Sequence, residues 1–276
     1  MDNLHFTRAI LFKELHQRAG IFAIPNPWDA GSAKMLASLG FEALATTSAG
    51  LAFSLGRPDG EAAVTRDETL ENAKAIVNAT HLPVAADLEN GFGDEPEACA
   101  QTILLAAKAG LAGGSIEDAT GFPANPIYDF DLSVARVKAA VQAARSLAIP
   151  FTLTARAENL IHGKIDMADT IKRLQAYAEA GADVLFAPGL KTVEEIATVV
   201  KAVAPKPINV VMGLSGGNFT LNQLEDIGVK RVSLGSSLVR SAYSAFMNAA
   251  NEIKTKGSFG FANGIHSYAD FNSLFS

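Results

Sequence analysis

Three stretches of the chain place charged side chains in patterns that could do chemistry. In PVAADLEN, Asp87 and Glu89 stand two apart in an apolar, β-rich run, so on a strand both side chains leave the same face. The next such run, GGSIED, ends in Glu117 and Asp118, and the one after, FTLTAR, ends in Arg156. Carboxylates brought to one place repel each other, and a divalent cation relieves the repulsion. An all-oxygen ligand set favours Mg2+, with Mn2+ as the variant, over zinc. A guanidinium facing such a cluster suits a bidentate grip on a substrate carboxylate or phosphonate. The plainer alternative is that these acids pair with Arg156 or cap the helices that follow, and both readings stay open at this point.

Other residue types narrow the chemistry by where they do not fall. No lysine lies in any of the eight strand-like runs, which argues against a Schiff-base aldolase. The histidines His5, His16, His81, His162 and His266 form no HxH or HExxH pair, so a zinc hydrolase is disfavoured; His162 lies just beyond the fifth run. The single cysteine, Cys99, sits in the helix-like EACAQTILLAA and reads as core. One cysteine excludes an intrachain disulfide and a cysteine zinc cluster, and a reducing, cytoplasmic setting fits. The net charge of −6 comes without a dense Lys/Arg stripe, so nucleic acid is not an expected partner. The opening MDNLHFTRAILFKELHQRAG lacks a long apolar signal core, and no run approaches the roughly 20 apolar residues of a membrane span.

Positioning these residues requires a parallel scaffold. Eight short apolar runs, FAIP, ALATTS, PVAADLE, GGSIED, FTLTAR, VLFAP, INVVM and RVSLG, alternate with longer helix-like segments, several of which stop at Gly before the next run. With 276 residues and no GxGxxG turn after any run, the pattern predicts one α/β domain, 1–276, closed as a (β/α)8 TIM barrel. A helix over 3–18 precedes it, and 262–276 forms an apolar helical tail that packs on its own barrel or on a neighbour. In such a barrel the strand C-terminal ends form the active face, and here they carry Asn26 and Asp29, Thr47 and Ser48, Asp87 and Glu89, Glu117, and Arg156. The glycine-rich segments 212–217 and 234–237 could cradle an anion or serve only as tight turns.

PNPWDAGSAKML, the TTSAG segment leading into SLGRPDG, AADLENGFGD, GGSIEDATG and TAR, in this order and spacing, carry a specific likeness. The chain resembles the isocitrate lyase / phosphoenolpyruvate mutase superfamily over nearly its whole length. The resemblance implies a barrel whose eighth helix is swapped between subunits, in a homo-oligomeric dimer or tetramer. It implies Mg2+ held largely through water by Asp87, Glu89 and Glu117, with Asp59 of the RPDG loop nearby. Thr47 and Ser48 then offer donors to the carboxylate of a small oxoacid substrate, Arg156 grips that substrate, and Asn209 matches a further carboxylate contact. The chemistry implied passes through an enolate of a small 2-oxo or 2-hydroxy carboxylate, and the expected enzyme is a Mg2+-dependent lyase that cleaves or decarboxylates it. P–C bond chemistry, as mutase or hydrolase, and a non-catalytic oxoacid-binding barrel are the alternatives.

The departures bear on which bond breaks. Lyases of the superfamily carry a Lys-(Lys/Arg)-Cys-Gly-His loop after strand four, where this chain has ATGFPANPIYD over 119–129. Mutases and phosphonopyruvate hydrolases carry a lysine and an asparagine there, and only Asn125 is present. Strand six runs into Ala187-Pro188, where relatives place a polar residue. Arg156, Asp59 and Tyr128 are therefore the candidates for catalytic roles, with Tyr128 or Asp129 the loop acid or base.

Overall fold

The computed structural model describes residues 3–60, 62–213, 217 and 219–276. Eight parallel strands form one sheet: β1 (Phe22–Ile24), β2 (Leu44–Ala45), β3 (Val84–Asp87), β4 (Gly113–Glu117), β5 (Thr152–Arg156), β6 (Val184–Phe186), β7 (Ile208–Val211) and β8 (Arg231–Ser233). Each strand from β2 to β8 pairs with the one before or after it, and β8 pairs with β1. The seam between β1 and β2 is bridged by the Ala45 N–H donating to the Pro25 carbonyl at 3.1 Å, so the eight strands and the helices between them make a (β/α)8 barrel.

The helices are set by local signals. Asp29 with Ser32, Thr65 with Glu68, Thr192 with Glu195 and Thr220 with Gln223 form reciprocal capping boxes that start α2 (Ala30–Ser38), α4 (Arg66–Ala79), α8 (Val193–Val203) and α9 (Leu221–Asp226). Between α2 and α4 a short α3 (Ser48–Ser54), capped by Thr47, was not among the expected elements. The outer wall continues with α5 (Pro96–Lys108), α6 (Phe130–Ser146) and α7 (Met167–Glu179). The N-terminal helix α1 (Asn3–Gln17) closes the barrel opposite the acidic ends. Gly113 admits it: a Cβ there would stand 2.6 Å from the Thr152 carbonyl and 2.7 Å from the Phe12 ring, so only glycine allows Phe12 to seat against β4.

The eighth unit is built differently. In α10 (Ser237–Lys256) only Val239 is buried, and Phe246 and Met247 are 72% and 69% exposed, so the helix projects from the barrel with an apolar face uncovered. The tail helix α11 (Tyr268–Phe275) then packs back on α2 of the same chain, where Lys34 Nζ donates to the Phe275 carbonyl at 2.7 Å.

Candidate active site at the strand C-terminal ends

The site is organised around Arg156, the last residue of β5. It is 15% exposed, and its guanidinium reaches three carboxylates from three directions: Nη1 to Asp87 Oδ1 at 2.8 Å, Nε to Glu158 Oε1 at 2.8 Å, and Nη2 to Glu117 Oε2 at 3.1 Å. Burial alone would pull its pKa down, but Glu117, Glu158 and Asp87 hold the guanidinium well above its ordinary value. Register makes the contact possible, because Glu117 and Arg156 are direct partners across β4 and β5, while Asp87 pairs two residues earlier on β4 with Ser115. Asp87 is fixed a second time by Ser48, whose Oγ donates to Asp87 Oδ2 at 2.9 Å. The Asp87 N–H in turn donates to Thr46 Oγ1 at 3.1 Å.

Glu89 lies just past the end of β3, with φ of 46°, a left-handed conformation that costs a residue with a Cβ on the order of 1 kcal/mol. Its carbonyl accepts the Glu117 N–H at 3.0 Å, which keeps the turn in register with β4. No donor reaches its carboxylate among the described residues. Burial, then the charges of Asp87 and Asp59, push its pKa up to about 7 against the pull of Arg156. Asp59, on the loop that follows α3, is also raised by burial and by Asp87, although a hydrogen bond with Ser48 opposes this. Burial first, then Glu158, Asp87 and Glu89, holds Glu117 well above the usual carboxylate range in spite of Arg156.

Five acids thus face one cation. Among the described residues no three acidic, histidine or cysteine side chains stand so as to hold one ion directly, and Asp87 spends one oxygen on Arg156 and the other on Ser48. The donor set nevertheless fits a hydrated divalent cation. It is all oxygen, it carries more negative charge than Arg156 neutralises, and it contains a largely buried carboxylate, Glu89, with no donor of its own. The ion pairs that the sequence left as the plain alternative are present, and they coexist with the excess of acids.

A cavity of about 260 Å3 opens at this end of the barrel, lined by Asp59, Asp87, Arg156, Asn209, Arg231 and Ser233 among others. Its size is below that of typical drug-sized pockets and suits a small ligand. Thr47 and Ser48 line it as well. The Thr47 hydroxyl accepts the Gly50 N–H at 3.2 Å as the cap of α3 and keeps its own proton to donate, whereas the Ser48 hydroxyl is given to Asp87 Oδ2 at 2.9 Å. Asn209 is 1% exposed, and its carboxamide is held between Arg231 and Ser233. A second cleft, about 560 Å3, runs outward between the loop over 57–65 and the loop over 119–129 and reaches Glu89, Glu117 and His162.

Tyr128 stands apart from the others. It lines neither opening; its hydroxyl donates to Asp94 Oδ1 at 2.5 Å and accepts from Asn90 Nδ2 at 3.2 Å, and its ring lies under the Arg136 guanidinium at 4.1 Å. Burial and the Asp94 contact push its phenol up to about 12. The tyrosine pins one end of the 119–129 loop, helped by an isolated bridge between Ala119 and Ile127. Asp129 is the residue before α6 and makes no side-chain cap there. Cys99 is fully buried, as the helical pattern implied. Of the two glycine-rich segments, 214–216 and 218 lie outside the described residues.

Sequence reasoning missed Glu158, and it noted Asp118 only as a strand-end acid, without its partners. Glu158 is 1% exposed and orients Arg156 through its Nε. Its two-residue offset from Arg156 is the same signal that drew attention to Asp87 and Glu89. Asp118 is buried under Tyr177, Arg173 and the Glu158 N–H, at 2.6, 3.1 and 2.8 Å, and it anchors the turn that presents Glu158. Those partners are distant in sequence, so no local pattern announces them.

A parallel barrel whose strand ends gather buried acids around one arginine over a small cavity defines an enzyme-like class of (β/α)8 protein. Comparison with known proteins makes the class specific. The family model described as phosphoenolpyruvate phosphomutase matches residues 12–254. A candidate lyase/mutase from Burkholderia cenocepacia J2315 has a crystal structure that superposes with a TM-score of 0.97 at 55% identity, covering 100% of this chain and 98% of that one. An oxaloacetate acetylhydrolase in complex with oxalate gives a TM-score of 0.89 at 27% identity, covering 98% and 94%. The 2-methylisocitrate lyase of Bacillus subtilis (strain 168) is 30% identical over 258 residues, 90% of this chain and 82% of that protein. The chain belongs to the phosphoenolpyruvate mutase / isocitrate lyase superfamily, whose members are lyases, mutases and related hydrolases.

Proposed function

We propose that this protein is a Mg2+-dependent lyase-type enzyme that cleaves or decarboxylates a small 2-oxo or 2-hydroxy carboxylate through an enolate. The observation that carries the reading is the excess of buried carboxylates around Arg156 at the wall of a small cavity. Asp87, Glu89 and Glu117 would hold the ion, mostly through its waters. Bound there, Mg2+ supplies electrophilic stabilisation of the negative charge that develops on the 2-oxo and carboxylate oxygens.

The chain's own groups do the rest. Arg156, pinned by three acids, cannot swing away, so its remaining N–H groups stay aimed at the mouth and give a second positive anchor. Ser48 offers a hydroxyl and a backbone N–H at the same wall, both directed at Asp87 Oδ2. Asp59, raised by burial, is placed to hold a proton at the rim. The loop over 119–129 offers neither cysteine nor lysine, which disfavours both the usual lyase acid and the mutase arrangement. Cleavage of a group that leaves without a strong loop acid, as in decarboxylation or hydrolytic cleavage of an oxoacid, is the favoured outcome. The likeness to an oxaloacetate acetylhydrolase supports it.

The uncovered apolar face of α10 supports a homo-oligomer in which this helix covers a neighbour's barrel. Among the described residues no helix is long and apolar enough to cross a membrane; with one buried cysteine, a reducing cytoplasmic location is the proposed setting. The deciding assay incubates purified protein and Mg2+ with oxaloacetate, phosphonopyruvate, 2-methylisocitrate and substituted malates. Turnover of a carbon acid supports the reading, turnover of phosphonopyruvate alone replaces it with P–C chemistry, and binding without turnover of any leaves a binding barrel.

A further inference from the structure

The floor of the mouth cavity contains a cation that no acid answers. Arg231, at the start of β8, is 6% exposed and lines the cavity, yet among the described residues all its partners are neutral. Its Nε donates to Asn209 Oδ1 at 2.8 Å and its Nη2 to Thr154 Oγ1 at 3.1 Å, while Nη1 stands 3.2 Å from His16 Nε2. His16 Nδ1 lies 2.8 Å from the Phe12 carbonyl, which must take a proton from it, so Nε2 is left as an acceptor. Burial and the Arg231 charge hold His16 down to about 3, and burial lowers Arg231 only to about 9, so the guanidinium stays charged near neutral pH. An unpaired charge inside a barrel is costly, and barrel interiors are ordinarily packed with apolar side chains.

This cation dictates hydrogen-bond direction. With a guanidinium N–H at one end of the Asn209 carboxamide, that end is the oxygen, and the NH2 must face away. Asn209 Nδ2 accordingly donates to Ser233 Oγ at 2.9 Å. The Ser233 oxygen is thereby used as an acceptor, and its own proton is left for another partner; Ser233 lines the cavity. Thr154, which Arg231 also touches, lies two residues before Arg156 on β5, so the floor is one pleat repeat, about 7 Å, below the mouth cation. The cavity therefore has a cation at each of two depths.

We propose that Arg231 is a positioning residue that fixes Asn209 and Ser233 as donors, so that the cavity floor takes the second carboxylate of a four-carbon diacid whose first carboxylate sits beside Arg156. The inference rests on the reading above that the mouth binds a small carboxylate, and it goes further in naming the diacid and the residue that selects it.

Titration calorimetry with oxalate, which has no second arm to reach the floor, and with malate, both in excess Mg2+, separates the two depths. Arg231→Met and Ser233→Ala should each weaken malate about tenfold, the worth of one lost hydrogen bond to a charged group, while oxalate changes by less than about threefold. Arg231→Lys, which restores a charged donor, should recover most of the malate affinity. A merely structural arginine would move both ligands together or neither. If Arg231→Met does not fold, Ser233→Ala, which removes one atom, decides alone: unchanged malate affinity overturns the proposal. A wild-type protein that binds oxalate but no malate overturns it too. Oxalate binding that is indifferent to Mg2+ instead refutes the metal reading, and the malate-to-oxalate ratio still decides the relay.

Discussion

Glu89→Gln should make the metal-free protein more stable and the enzyme inactive, and the size of the first effect can be worked out. The Glu89 carboxyl goes from an ordinary value of 4.5 to about 7 in the fold, driven by burial, Asp87 and Asp59. A raised carboxyl pKa means that the folded state binds more protons than the unfolded one between those two values. Stability therefore falls as pH climbs through that window, and the full loss is present above it. At 1.36 kcal/mol per unit the loss is about 3 kcal/mol, an upper figure because the neighbouring acids share the repulsion. Glutamine keeps the shape and removes the charge. In EDTA at pH 8.5 the variant should melt a few degrees higher, about 5 °C for a chain of this size. At pH 4.5 the difference should vanish. Added Mg2+ should raise the melting point of the wild type at pH 8.5 and leave the variant nearly unmoved, because a ligand stabilises only the form that binds it. A shift that is equal at both pH values, or a variant less stable at pH 8.5, would refute the account of Glu89 as a strained, cation-seeking acid.

Asp87→Ala removes a partner of Arg156 and a proposed metal contact; Mg2+-dependent oxalate binding should be lost by calorimetry, and retained binding would sink the metal assignment. Glu158→Gln leaves the Arg156 Nε bond possible but neutral, so kcat/KM should fall about tenfold to a hundredfold with the fold intact by circular dichroism. Tyr128→Phe should cost roughly 1 kcal/mol of stability by thermal melts and change kcat by less than about tenfold, whereas a loss of several hundredfold would restore the phenol as the reacting acid. Met247→Glu on the exposed face of α10 should shift light-scattering mass toward monomer, and an unchanged mass would show that this face is not an interface.

The barrel was legible because its signals are local. β-Rich apolar runs recur in each unit, glycine stops and Thr or Asp caps in several, and all eight expected strands are present, each shorter at one end or both. The short helix α3 escaped notice because SAGLAFS lacks helical patterning and begins inside what reads as a strand run; the Thr47 cap was its only mark. The acids were found because two-residue spacing on a strand fixes a common face. What they do to each other was not readable, since it depends on the register that sets Glu117 against Arg156 and on Ser48 arriving from another loop. Tyr128 shows the limit most clearly: a polar aromatic in the right loop pointed to a catalytic acid, and only the fold shows its hydroxyl bound to Asp94 from another loop. Asn209 likewise looked like a lone contact until Arg231, twenty-two residues away, appeared at its oxygen.

The left-handed backbone at Glu89 has a consequence for anyone reshaping this protein. Glycine adopts φ of 46° without strain, so a procedure that ranks substitutions by conformational comfort would choose Glu89→Gly first, and the melting point would reward the choice. The same change would erase a site carboxylate that, among the described residues, receives no hydrogen bond. At this position thermal tolerance and chemical competence pull in opposite directions, and a library screened only for heat resistance would drift toward inert barrels.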